Sequence, residues 1–78
     1  MIESIIEKIA ELTEEEVSSI TPATVLDELD AWDSLAKVSF LIFASTEFGV
    51  QLDGRDVQRA ETVEALHELI ASARTNAS

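Results

Sequence analysis

The chain has few side chains able to do chemistry, and they fall in recognisable places. There is no cysteine and a single histidine, His67. The serine that stands out is Ser34, in the stretch Leu29-Asp30-Ala31-Trp32-Asp33-Ser34-Leu35, where a long loop hands over to the most apolar segment of the protein. A serine hydrolase needs a base within reach of its nucleophile and a strained turn of the G-x-S-x-G kind. His67 is the one base and no such turn exists. A lone histidine on a helix is more often a surface or packing residue, so the chain is not expected to be an enzyme. Calcium binding fails on spacing. An EF-hand loop started at Asp27 puts Leu29 and Ala31 at oxygen-ligand positions and Trp32 where glycine is required. A start at Asp53 puts Arg55 and Val57 at ligand positions, and no metal is expected. The third chemistry is a phosphate ester on Ser34. A serine at a helix N-terminus presents its hydroxyl beside unpaired backbone NH groups, and those groups with the helix dipole favour a phosphodiester. Serine and aspartate also start helices for capping alone. At this level both readings stand.

The elements that must position Ser34 are helices. At seventy-eight residues the chain makes one small domain, 1–78, and a domain of that size buries only about 60 % of the surface its unfolded chain exposes. With 46 % hydrophobic residues, two glycines and one proline, it reads as all-α. Lack of cysteine excludes disulfides and thiolate metal sites. Stability must then come from helix packing. Ile2, Ile5, Ile6, Ile9 and Ala10 mark a first helix near 2–12, with Glu3, Glu7, Lys8 and Glu11 on its other side. Thr13-Glu14-Glu15-Glu16 fits a capping box, with the Thr13 hydroxyl accepting from the Glu16 NH. It begins a separate short turn or is absorbed into a longer first helix. From Ser19 to Asp33 the helical pattern is broken by Thr21-Pro22. Loops of that length are usually functional or disordered. Val25, Leu26 and Leu29 argue for a loop pinned to the helices, and Trp32 reads as a packing residue before a binding one.

Asp33 is placed as the N-cap of a second helix near 34–48, with Ser34 at its first position. Leu35, Val38, Leu41, Ile42 and Phe48 are the expected buried stripe, widened by Phe40, Phe43 and Ala44. A helix apolar on most sides is central to a bundle, presents a patch to a partner, or does both. Gly49 is expected as its left-handed cap, with Val50 folding back. A short helix near 55–60 and a last helix near 63–73, capped by Thr62 and facing inward through Val63, Leu66, Leu69, Ile70 and Ala73, complete a small four-helix bundle with a long loop between its first two helices. Residues 75–78 are expected to fray.

Sixteen acids against five bases give a net charge of −11. They are unevenly spread: residues 1–33 carry ten acids and one lysine (net −9), and residues 34–78 carry six acids and four bases (net −2). Repulsion from phosphates disfavours nucleic acid and anionic membranes, and basic protein partners are favoured. No basic flank or long apolar run follows Met1, so neither a signal peptide nor a membrane span is expected. The chain reads as a cytoplasmic monomer.

Asp33-Ser34-Leu35 at the start of the second helix, after a long acidic loop with Thr21-Pro22 near its start and before Glu47-Phe48-Gly49-Val50 and Thr62-Val63, resembles an acyl carrier protein of the stand-alone type. The likeness covers essentially the whole chain. It implies that Ser34 is esterified by 4′-phosphopantetheine, transferred from coenzyme A by a phosphopantetheinyl transferase, which makes the chain a phosphoprotein. The thiol of that arm would carry an acyl thioester between acyl-loading ligase or synthase enzymes of fatty acid, polyketide or related biosynthesis. By the same likeness Asp33, Leu35, Ala36 and Ile42 belong to the surface that partners read. Carriers of fatty acid synthesis usually bear several acids along this helix. Here Ala36, Lys37, Ser39, Ser45 and Thr46 stand there, with Glu47 the one acid. Together with Arg55 and Arg59 this points to a specialised pathway. Trp32 before the motif resembles dedicated carriers of such pathways. Aspartate before the serine favours an acyl over an aminoacyl or peptidyl carrier. The rival reading is an unmodified acidic helical adaptor, in which a patch of Phe40, Ile42 and Phe43 docks a partner helix.

Overall fold

The isoleucine stripe of residues 2–9 does what its 3.6-residue period requires. In the computed structural model, which describes residues 1–76, it forms α1 (Ile2–Thr13) and buries Ile5, Ile9 and Ala10. The capping box expected at Thr13 is absent. Thr13 lies one turn beyond Ile9 on the buried face, and its hydroxyl donates to the Ile9 carbonyl at 2.6 Å. The helix ends there instead of running on. Glu14 takes the left-handed conformation (φ 56°), and the NH groups of Glu14 and Glu15 close onto the carbonyls of Glu11 and Ala10 at 3.4 and 2.9 Å.

Residues 14–33 connect α1 to α2 with two single 3-10 turns, Val17–Ser19 and Leu26–Glu28. The connection is stitched to the start of the last helix. The Leu26 NH donates to Glu61 O (2.9 Å), the Val63 NH to Thr24 O (3.1 Å) and the Glu64 NH to Pro22 O (2.9 Å). Ile20 and Leu26 are buried, whereas Val25 is exposed and contributes its backbone through a bridge to Thr62. Leu26 and half-buried Leu29 therefore pin the loop as expected, while at Val25 the attachment is made by the backbone groups of its neighbours Thr24 and Leu26.

The second helix, α2 (Ser34–Phe48), is rotated from the face expected of it. Its buried residues are Ala36, Phe40 and Ala44, while Leu35, Val38 and Ile42 are 75 %, 51 % and 62 % exposed. Apolar residues surround this helix, so periodicity alone does not choose its inner face. Size and aromatic packing choose it. Phe40 is fully buried with an alanine one turn to either side, letting neighbouring helices close around the ring. Trp32 meets it edge-on at 6.1 Å, Phe43 at 5.6 Å, and Phe48 extends the series against Phe43 at 5.5 Å. The gain from burial scales with the apolar area removed from water, which favours Phe40 inside over the smaller Val38. Gly49 supplies the left-handed cap (φ 67°), its NH reaching Ser45 O at 3.0 Å, and Val50 folds back into the core.

The short helix α3 (Gly54–Arg59) starts at Asp53, whose carboxylate accepts from the Arg55 NH at 2.8 Å. The last helix, α4 (Val63–Asn76), starts where Thr62 accepts from the Ala65 NH at 3.2 Å. It buries Val63, Leu66 and Ile70 and continues through Thr75 and Asn76, beyond its expected end at 73. Thus the first two residues of the expected frayed tail are helical, and 77–78 lie outside the described residues. Packing of α1 on α2 and α4, with α3 laid across α2 and α4, gives the expected small helical bundle.

Candidate functional site

Trp32 fixes the approach to Ser34. Its side chain is buried and its backbone NH is bonded to Leu29 O at 3.0 Å, so the chain enters α2 along a defined path. Asp33 then adopts an extended conformation (φ −104°, ψ −173°), and its Oδ1 accepts from the Ala36 NH at 2.9 Å. That is the N-cap interaction expected of it. Because Asp33 does the capping, the Ser34 hydroxyl has no structural task. It is exposed at the first position of α2 and makes no hydrogen bond among the described residues. The half-buried His67 lies on α4 and does not engage it, so the pair needed for an activated nucleophile is not assembled.

Ser34 opens onto a groove of about 360 Å³ between α2 and α3, walled by Lys37, Val38 and Leu41 on one side and Asp53, Arg55 and Gln58 on the other. Lys37 forms no ion pair among the described residues, while Arg55 pairs with Asp53 at 3.4 Å. The Arg55 backbone NH, followed by its side chain, holds the Asp53 carboxyl below its ordinary value of 3.8. The charges around Ser34 are therefore mixed, with Lys37 and the paired Arg55 and Asp53 lining the groove and the Asp33 carboxylate on the other side of the serine. Among the described residues no cluster of side chains is arranged to hold a metal ion.

The other residues singled out in the sequence separate into two groups. Leu35 and Ile42, with Val38, form an exposed apolar line along α2 on the Ser34 side of the molecule. Ala36 does not join them. It is 5 % exposed, turned inward by the same rotation that buries Phe40, so its side chain offers a partner no surface. The adaptor patch is likewise incomplete, since Phe40 is fully buried and Phe43 half-buried. Val38 and Lys37 are what sequence reasoning missed at this site. Their spacing of three and four residues from Ser34 was the available signal.

A family model described as a phosphopantetheine attachment site matches residues 3–70. The chain belongs to that family. It is a carrier protein, and the prosthetic group of the family is a covalently attached 4′-phosphopantetheine. Carriers of this family hold cargo and leave catalysis to the phosphopantetheinyl transferase and acyl-processing enzymes that act on them. Neither the curated proteins nor the solved structures gave a match. Among the described residues, no helix of the carrier is long and apolar enough to cross a membrane. The start of α2 fits the group on its own chemistry: among the described residues it has an exposed hydroxyl with no competing hydrogen bond, free NH groups at the first two helical positions, and a lysine without an ion pair one turn away.

Proposed function

We propose that Ser34 is the attachment residue and that the carrier presents an acyl group as a thioester to the enzymes of a specialised fatty acid, polyketide or related pathway. The observation that carries this reading is the division of labour at the start of α2. Asp33 holds the helix and leaves the Ser34 hydroxyl exposed and unbonded. In the loading step the Ser34 Oγ attacks the phosphorus of coenzyme A that bears the pantetheine. The new Oγ–P bond forms as the bridging P–O bond of the diphosphate breaks, adenosine 3′,5′-bisphosphate leaves, and the hydroxyl proton passes to a base of the transferase. The attached group supplies a thiol at the end of a long flexible chain. This chain's residues provide the rest. Asp33 keeps the serine at the helix start, Trp32 and Phe40 anchor that start to the core, and the first-turn NH groups would favour the negative charge of a phosphodiester on the serine.

The exposed line of Leu35, Val38 and Ile42 is the surface we assign to partner enzymes, with Asp33 at its Ser34 end and Val38 in the role expected of Ala36. Support for a specialised pathway comes from Lys37 and Arg55 in the groove beside Val38, from Arg59 further along α3, and from the lack of any acid on α2 before Glu47. Peptide-level mass spectrometry after incubation with coenzyme A and a broad-specificity transferase tests the attachment site. The group is expected on the fragment containing Ser34, and its location on Ser39 or Ser45 of the same helix would overturn the assignment.

A further inference from the structure

On the other side of α2 from the groove at Ser34, α1 and α2 enclose a trough that carriage of a group on Ser34 does not use. Two cavities of about 470 and 290 Å³ adjoin there, with Lys8, Glu11, Phe43 and Glu47 in the walls of both. Leu12 and Ile42 add apolar wall to the larger, and Glu7 adds a carboxylate to the smaller. We propose that this trough docks a basic amphipathic helix of a partner protein, which seats an apolar side chain against Leu12, Ile42 and Phe43 and meets Glu7, Glu11 and Glu47 with lysines or arginines. Such a partner is a tether, holding the carrier by the side away from Ser34.

Three observations carry it. The first is complementarity. Three carboxylates stand against one lysine in the trough, and Glu7 and Glu47 make no ion pair among the described residues. They border half-buried Leu12 and Phe43 and exposed Ile42, so the floor is apolar where the rim is acidic. A helix with an apolar face and basic flanks matches both. Nucleic acid, an anionic membrane and a second copy of this chain, itself at −11, are repelled. The second is a cation already in place. Lys8 Nζ lies 5.5 Å from the centre of the Phe43 ring and 3.0 Å from Glu11 Oε1. A cation over that ring beside a carboxylate is what a partner's lysine or arginine would supply, and an exposed pair of this kind is weak enough to be exchanged. The third is placement. From Ser34 to Glu47 α2 rises about 20 Å at 1.5 Å per residue, and Ile42 joins the trough to the exposed apolar line of the same helix. An enzyme that loads or unloads the carrier must reach the start of α2. A helix seated near the end of α2 leaves that start open.

The test records backbone amide NMR spectra of the carrier titrated with a synthetic amphipathic helical peptide, leucines on one face and lysines beside them, and with a scrambled peptide of the same composition. Saturable shifts are expected at Lys8, Leu12, Phe43 and Glu47, with the scrambled peptide binding about tenfold more weakly. Equal shifts from both peptides, spread over the acidic residues 14–30, would reduce the binding to bulk charge and overturn the site, as would the absence of shifts. The amides of residues 33–38 are expected to stay in place, and their movement would put the peptide on the Ser34 face and contradict the tether. Glu7→Gln with Glu47→Gln is expected to weaken the helical peptide about tenfold. Asp27→Asn with Glu28→Gln makes the same change in charge on the exposed connection and is expected to leave the affinity as it was. An equal loss in the two double variants would overturn the trough. Lys8→Gln removes the resident cation and is expected to tighten binding, and weaker binding would contradict the exchange of Lys8 for a cation of the partner.

Discussion

Asp33 and Ser34 divide two tasks that one residue at a helix start often combines. The carboxylate of Asp33 accepts from the Ala36 NH, so Asp33→Ala is expected to cost about 1 kcal/mol. A lowered urea midpoint with unchanged slope checks it. Ser34→Ala removes a hydroxyl that makes no hydrogen bond among the described residues, and its stability is expected to stay within about 0.5 kcal/mol of the wild type. The cap was legible in the sequence because capping is local: an acid before a serine before a helical apolar run specifies it without knowledge of the fold, whereas the role proposed for Ser34 came from the family resemblance. Thr13 was not legible, because its hydroxyl bonds to a carbonyl one turn back only once that face of α1 is buried. The strain next to it is testable. Glu14 sits at φ 56°, where glycine pays no steric cost, and Glu14→Gly is expected to raise stability by about 0.5–1 kcal/mol, read as a higher melting temperature. Asp53 gives a pH dependence of known sign. Its folded pKa is lowered by Arg55, so its contribution is present above the ordinary 3.8 and is lost as pH falls through the lowered value. Replacement by Asn should flatten the acid limb of the stability curve in that window alone.

At the scale of elements, the helices and their order could be read from periodicity and caps, and the rotation of α2 could not. Its composition is apolar on most sides, so Leu35, Val38 and Ile42 fit an inner stripe as well as Ala36, Phe40 and Ala44 do. What decides is tertiary: the Trp32 ring, from the connection before the helix, meets Phe40 edge-on. The rotation makes a sharp contrast between substitutions of similar chemistry. Phe40→Ala empties the centre of the core and is expected to cost about 3–5 kcal/mol, close to the whole stability of so small a domain. Leu35→Ala and Ile42→Ala, on the outer face, are expected to stay within about 0.5 kcal/mol in urea unfolding. The connection between α1 and α2 repeats the lesson. Pro22 marked it as a loop, yet its attachment to α4 through the Pro22, Thr24 and Glu61 carbonyls is invisible in a local pattern.

For the whole molecule, charge is the dominant feature. Net charge is −11 with −9 in residues 1–33, and the described ion pairs are few and exposed. Self-repulsion of that acidic half opposes compactness, and salt screens it over about 10 Å at 0.1 M. The melting temperature is therefore expected to rise between low and moderate ionic strength, and an unchanged value would contradict the role given to repulsion. The acids lie mostly in α1 and the long connection, away from the less acidic α2–α3 face that bears Ser34 and the exposed apolar line. Most of the repulsive charge thus lies in elements other than α2 and α3, although Asp30 and Asp33 stand shortly before Ser34, where loading is proposed. The most direct test of this account is intact-protein mass after incubation with coenzyme A and a broad-specificity phosphopantetheinyl transferase, beside a folded Ser34→Ala control. A gain of one phosphopantetheine unit by the wild type and none by the control is the predicted result. A gain by both, or by neither, would contradict Ser34 as the residue on which this carrier works.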